Sequence, residues 1–209
     1  MAEIRIGRMT IGSYATNCYL LYREGAKEAI VVDPADAGEQ IYSKLKEKGF
    51  QVAAILLTHG HFDHIWGAKA LKEMSGAKIY ALKDELSVCE NAKTNVSEWA
   101  GRAYTLTPDI LTEDGENLEL AGMNCRVIAT PGHTQGSCCY YFEEADILVC
   151  GDTVFCESVG RTDFPTGSSS QLVRSIREKI FTLPEKTTLY PGHGDSTTVE
   201  YEKKYNPYC

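Results

Sequence analysis

Short apolar runs, rich in β-branched and aromatic residues, recur along the chain and break at small polar residues. They predict strands at Asn17–Tyr22 (NCYLLY), Glu28–Val32 (EAIVV), Val52–Leu57 (VAAILL), Cys125–Ala129 (CRVIA), Ser137–Phe142 (SCCYYF), Asp146–Cys150 (DILVC) and Thr187–Tyr190 (TTLY). The turn Glu113–Gly115 predicts one more at Leu118–Leu120. Apolar positions three and four apart predict helices instead. Over Gly38–Lys48, Ile41, Tyr42 and Leu45 share one face and Gly49 is the stop. Ile65–Met74 and Gln171–Phe181 carry the same period, with Pro184 beyond the second. Lys83–Arg102 has a mixed pattern and reads as helical in part.

The order is β-rich, helix, strand, helix, then β-rich, helix, strand, which reads as two similar halves. Two mixed sheets packed face to face with helices outside would bury such a pattern. An ordinary open α/β sheet would give nearly the same string. A length of 209 residues suits a single domain over 1–209.

Charge and cysteines narrow the class. The chain carries 21 basic and 29 acidic residues, net −8, with no Lys/Arg cluster of the kind that binds nucleic acid. The N-terminus MAEIRIGRMTIG lacks the apolar core of an export signal, and no apolar run is long enough to span a bilayer. The expectation is a cytoplasmic protein without membrane or nucleic-acid partners. None of the eight cysteines forms a C-x-x-C pair, so they are expected as reduced thiols packed in strands.

The chemistry concentrates at strand ends. Thr58-His59-Gly60-His61-Phe62-Asp63-His64 directly follows a predicted strand. Three imidazoles and a carboxylate there form a donor set that zinc prefers in catalytic sites. His61 and His64 can point to different sides of a tight turn, so one loop could serve two ions. His133 (TPGHT), Asp152 (GDT) and His193 (PGHG) each follow another strand. All five histidines thus lie at strand-end turns, where α/β folds gather their sites. A lone turn histidine usually means nothing; five so placed point to metal.

His-x-His-x-Asp-His, then a distant His, a Gly-Asp and a final Gly-His, resembles the metallo-β-lactamase superfamily over nearly the whole chain. Thr16–Leu20 (TNCYL), Val32-Asp33-Pro34 and the tail Thr197–Tyr208 fit the likeness. The chain is most similar to short bacterial proteins akin to glyoxalase II, the hydroxyacylglutathione hydrolases. Ser158–Pro165 (SVGRTDFP) is typical of that subgroup. The resemblance implies an α+β fold, an αββα sandwich of two mixed sheets with helices outside. It implies a metal-dependent thioester hydrolase with two zinc ions, iron or manganese also fitting such N/O sites. It assigns His59, His61 and His133 to one ion, Asp63, His64 and His193 to the other, and Asp152 as the bridge. Asp33 would steady the ligand loop. Asp63 would also be catalytic, orienting the attacking hydroxide.

Full-length glyoxalase II proteins carry a C-terminal helical region that contacts glutathione, and this chain ends soon after His193. Small acyl thioesters of the S-lactoylglutathione type, recognised with little help from the thiol carrier, are therefore the expected substrates. Arg161 and Asp163 could bind a substrate carboxylate or pair with each other, and pairing is the favoured reading. The alternatives are a mononuclear iron persulfide dioxygenase using His59, His133 and Asp152, or a lactonase. A true β-lactamase is disfavoured by the missing export signal and by Asp152 at the bridging position. RNA nucleases and flavodiiron proteins share the motif but want, respectively, an RNA-docking insertion and a glutamate in place of His61.

Overall fold

The computed structural model of the chain describes residues 2–209. Its first half forms β1 (Ile4–Ile11), β2 (Thr16–Arg23), β3 (Glu28–Val32), α1 (Gly38–Glu47), β4 (Gln51–Leu56), α2 (Phe62–Ile65), α3 (Ala68–Ser75), β5 (Lys78–Leu82), α4 (Leu86–Cys89) and β6 (Ile110–Thr112). Its second half forms β7 (Asn117–Leu120), β8 (Met123–Ala129), β9 (Cys138–Phe142), β10 (Ile147–Gly151), β11 (Val154–Phe155), β12 (Ser158–Val159), α5 (Ser169–Ser175), β13 (Thr188–Pro191), β14 (Thr197–Thr198) and α6 (Val199–Tyr205).

Two six-stranded sheets result, in the orders β1-β2-β3-β4-β5-β6 and β14-β13-β10-β9-β8-β7. Both are mixed. The first is antiparallel across β1, β2 and β3 and parallel from β3 to β6. The second is antiparallel except where β10 runs parallel to β13. Tyr19, Leu21, Ile30 and Leu56 of the first sheet meet Cys125, Val127, Tyr140 and Phe142 of the second, which forms the central core. The outer faces are covered by helices: Ile41, Leu45 and Leu71 pack on the first sheet, Leu172, Ile176 and Ile180 on the second. This is the αββα sandwich, and it excludes the open sheet. Strands buried on both faces explain why the central runs read as continuous apolar stretches.

Several elements differ from the sequence reading, each for a local reason. Strand β1 was not expected because its apolar phase switches: Ile4 and Ile6 pack between the sheets, whereas Met9 and Ile11 pack on the helix side. The predicted helix Ile65–Met74 is two elements, α2 and α3, parted at Gly67. There the chain presses on the start of α1; a Cβ on Gly67 would lie 2.7 Å from the Gly38 nitrogen. The Gln171–Phe181 helix begins as α5, capped by the Ser168 hydroxyl, and ends in a wider π turn over Ile176–Ile180. Within Lys83–Arg102 only a 3₁₀ turn (Lys83–Glu85) and α4 are helical. All eight cysteines are free, six of them buried, with Cys156 exposed.

Candidate metal centre

Four strand ends on one rim of the sandwich deliver the chemistry. The loop after β4 carries His59, His61, Asp63 and His64; the loops after β8, β10 and β13 carry His133, Asp152 and His193. The seven side chains predicted from sequence converge. His133 Nε2 lies 3.2 Å from His59 Nε2 and 2.8 Å from His61 Nδ1. Beside this trio, Asp63 Oδ2 lies 3.2 Å from His193 Nε2 and 3.6 Å from His64 Nε2. Asp152 stands between the two groups. Its Oδ1 is 3.4 Å from His64 Nε2, and its Oδ2 is 3.5 Å from His133 Nε2 and 3.6 Å from His193 Nε2.

Three of the rings are aimed by what their outer nitrogen touches. His133 Nδ1 donates to the Arg161 carbonyl at 2.7 Å. His64 Nδ1 donates to Asp33 Oδ2 at 2.9 Å. His59 Nδ1 meets the Thr58 hydroxyl at 3.1 Å, and that hydroxyl donates to Asp33 Oδ2 at 2.7 Å. One buried carboxylate, Asp33, therefore contacts a ring in one group directly and a ring in the other through Thr58. With the outer nitrogen holding the proton, Nε2 turns its lone pair inward.

The residues fit metal ions on their own terms. Three sets of donor atoms lie within 4.8 Å of one another: His59/His61/His133, His59/His64/Asp152 and Asp63/His64/His193. His64 Nε2 and Asp152 Oδ1 are buried and have no hydrogen-bond partner, an arrangement that costs free energy unless a cation sits among them. Space is reserved for it, since a Cβ on Gly192 would lie 2.1 Å from Asp152 Oδ1. Glycine is also demanded at Gly160, where a Cβ would lie 1.8 Å from the Asp152 carbonyl oxygen.

Electrostatics divide the site. Burial, then the neighbouring imidazoles, holds His59 well below the usual histidine range; burial does the same to His61 and, less strongly, His133. Burial would also lower His64, but Asp63, Asp152 and Asp33 together raise it well above that range. Asp63 and Asp152 stay below the ordinary carboxylate range against the pull of burial, chiefly through His64. One side is a neutral imidazole trio ready to ligate; the other has a field that welcomes positive charge.

The sequence pattern of the Metallo-beta-lactamase superfamily matches residues 11–193. The chain belongs to that superfamily. It is 36% identical over 203 residues to the probable metallo-hydrolase YqgX of Bacillus subtilis, covering 96% of this chain and 95% of that one. It is 31% identical over 201 residues to the hydroxyacylglutathione hydrolase GloC of Haemophilus influenzae, covering 95% and 94%. Among solved structures, BLEG-1 B3 metallo-beta-lactamase matches with TM-score 0.93 and 35% identity over 98% of this chain and 99% of that one. TTHA1623 in a di-iron-bound form matches with TM-score 0.84 and 32% identity over 97% and 100%.

The superfamily likeness in Thr16–Leu20 has a physical basis that spacing could not reveal. Asn17 Nδ2 donates to the carbonyls of Pro191 (3.0 Å) and Gly194 (2.9 Å), and Tyr19 OH donates to Pro191 O at 2.7 Å. β2 thereby fixes the His193 loop. Thr16 Oγ1 donates to Asp63 Oδ2 at 3.0 Å. Arg161 does not present a free fork: its Nε and Nη2 donate to the two oxygens of Asp163 at 2.7 and 2.8 Å, the pairing favoured from sequence. Its carbonyl, not its side chain, serves the site. An aromatic rim flanks the centre, with Phe164 5.5 Å from the His61 ring and Tyr14 4.8 Å from Phe62. Trp99, 64% exposed, packs edge-on to Phe164.

Proposed function

We propose that this superfamily member is a two-metal thioester hydrolase of the hydroxyacylglutathione hydrolase type, acting on small acyl thioesters. His59, His61 and His133 would hold one ion, Asp63, His64 and His193 the other, with Asp152 bridging. The observation that carries the reading is Asp152, whose two oxygens reach donor atoms of both groups within 3.4–3.6 Å. The likeness to GloC over 94% of that protein's length supports the substrate class. Zinc is the proposed metal, with iron and manganese as competitors for the same donors.

Bound ions would supply a Lewis acid for the acyl carbonyl and a water acidic enough to attack at neutral pH. The chain's own groups do the rest. Asp63, held through Oδ2 by Thr16 and partly exposed, orients the attacking water by accepting its proton in a hydrogen bond. The walls of Phe62 and Phe164 limit bulk water beside the reacting carbonyl. A thiolate leaves with a pKa of about 8.5, so no side chain needs to protonate it.

The test pairs metal analysis of the purified protein with turnover of S-lactoylglutathione and of glutathione persulfide. Two ions per chain and thioester cleavage are expected. One iron per chain, with oxygen consumed on persulfide and no thioester cleavage, would instead establish the dioxygenase. The likeness to BLEG-1 supports a second activity to measure in parallel, opening of a chromogenic β-lactam. An amide nitrogen leaves far less readily than a thiolate, so that rate is expected to be the lower of the two.

A further inference from the structure

We propose that Glu85 is a positioning residue that sets the spacing between the His59–His61 loop and the His133 loop, and with it the three-imidazole set. The inference rests on the reading that those imidazoles share an ion. Glu85 ends the 3₁₀ turn after β5 and is 1% exposed. Its Oε1 accepts from the Gly60 N–H at 2.6 Å. Its Oε2 accepts from the Thr134 hydroxyl and the Gly136 N–H, both at 2.9 Å. Gly60 lies between His59 and His61, and Thr134 follows His133. The carboxylate touches none of the seven donors, yet it staples a loop of the first sheet to a loop of the second.

The surroundings leave the two loops little choice of position. A Cβ on Gly136 would lie 2.2 Å from the Glu85 nitrogen, and one on Gly60 would lie 2.9 Å from Cys89 Sγ. The loop after His133 is also tied to the same corner by Gln135 Nε2, which donates to the Asp84 carbonyl (2.9 Å) and to Ser87 Oγ (3.0 Å). Farther along the second loop, the Cys138 N–H bonds the Thr58 carbonyl at 2.8 Å. Glu85 is the side chain that bonds both loops close to the imidazoles. Burial pushes its carboxyl up to about 8 even though all three donors favour the ionised form. A carboxyl held at such a cost in a core needs a reason beyond filling space.

The residue type matters. A carboxylate can take two N–H groups and a hydroxyl at once. Glutamine keeps the Gly60 bond but turns an amide N–H₂ toward the Gly136 N–H. Alanine leaves two buried N–H groups without an acceptor. The experiment is cobalt(II) titration of chelator-stripped wild type, Glu85→Gln and Glu85→Ala, read by visible absorption and by ions bound, with thermal unfolding measured alongside. Wild type should bind two ions. Glu85→Ala should weaken one of them by about tenfold or more, within the range for residues that orient ligands, and shift its absorption bands. Glu85→Gln should fall between. Glu85→Ala that melts earlier but binds both ions with wild-type affinity and spectrum overturns the proposal, because the residue is then only structural. If Glu85→Ala does not fold, unchanged affinities and spectrum in Glu85→Gln overturn it equally. Wild type that takes up no cobalt refutes the ligand assignment itself and this inference with it.

Discussion

The two halves of the candidate centre are built on different principles. His59, His61 and His133 are all imidazoles, all buried, and held neutral by burial. Asp63, His64 and His193 mix carboxylate with imidazole, and the His193 side chain is 28% exposed. The first group would attract a cation mainly through donor geometry, with Asp152 the nearest carboxylate. The second does so through charge, because Asp33, Asp63 and Asp152 all act on His64. The difference teaches that the two groups would fail differently. Moving a loop should hurt the first most, whereas removing the Asp63 carboxylate should hurt the second most.

Asp152→Ala tests that contrast hardest, because the two oxygens of Asp152 reach donor atoms of both groups. We expect loss of one ion and a fall in thioester kcat/KM of about a thousandfold or more, equivalent to about 4 kcal/mol. Metal analysis and kinetics on the same preparation check it; two tightly held ions in the variant would refute the bridging role. Asp33→Asn comes next. It keeps the shape but weakens the acceptor for His64 and, through Thr58, for His59. A drop of about ten- to a hundredfold in metal affinity at both positions is expected. A drop at one position alone would show that the Thr58 relay carries nothing.

Much of this was legible in the sequence because the ligands sit at strand ends, and strand ends announce themselves as the last residue of an apolar run. His59, His133, Asp152 and His193 could each be placed that way. The sandwich itself was legible only as one of two packings, since runs buried on both faces look alike in an open sheet. β1 was hidden by its change of apolar phase. Glu85 left no pattern at all, and the motifs that hold Thr58 and Asn17 do not say what those side chains touch. All three act on backbone groups 25 to 177 residues away in the chain or through a neighbour's ring, as Asn17 does on Gly194, and no periodicity reports such a partner.

Glu85 also gives the comparison a pH signature. Its folded pKa is raised from 4.5 to about 8, so the native state holds this proton more tightly than the unfolded chain does. Its contribution to stability is therefore complete below about pH 4.5 and is lost as pH rises to about 8. One pKa unit is worth about 1.4 kcal/mol, which bounds the loss at about 5 kcal/mol. Glutamine cannot ionise. The stability of wild type relative to Glu85→Gln should thus decline between pH 5 and 8, with zinc kept saturating in both. Denaturant melts at a series of pH values give the difference directly, and a gap that stays flat over that range would show that folded Glu85 is already as ionised as in the unfolded chain.

The smallest effect is expected at Arg161, although its segment reads in the sequence as typical of the short subgroup. The site uses the Arg161 main chain: its carbonyl takes the His133 Nδ1 proton at 2.7 Å and so aims Nε2 inward. The backbone stays in place when the side chain is cut, because Gly160 is wedged against the Asp152 carbonyl. The guanidinium lies 3.7 Å over the Phe164 ring and is engaged by Asp163, with 55% and 69% of the two side chains exposed. Exposed pairs of this kind contribute about 0–1 kcal/mol. Arg161→Ala should therefore keep both ions and hold kcat/KM for S-lactoylglutathione within about threefold, under 1 kcal/mol. Steady-state kinetics beside metal analysis decide it. A KM raised about tenfold or more with kcat unchanged would mean that the guanidinium leaves Asp163 to bind a substrate carboxylate. Loss of an ion would mean that the side chain, and not only the carbonyl, holds His133 in place.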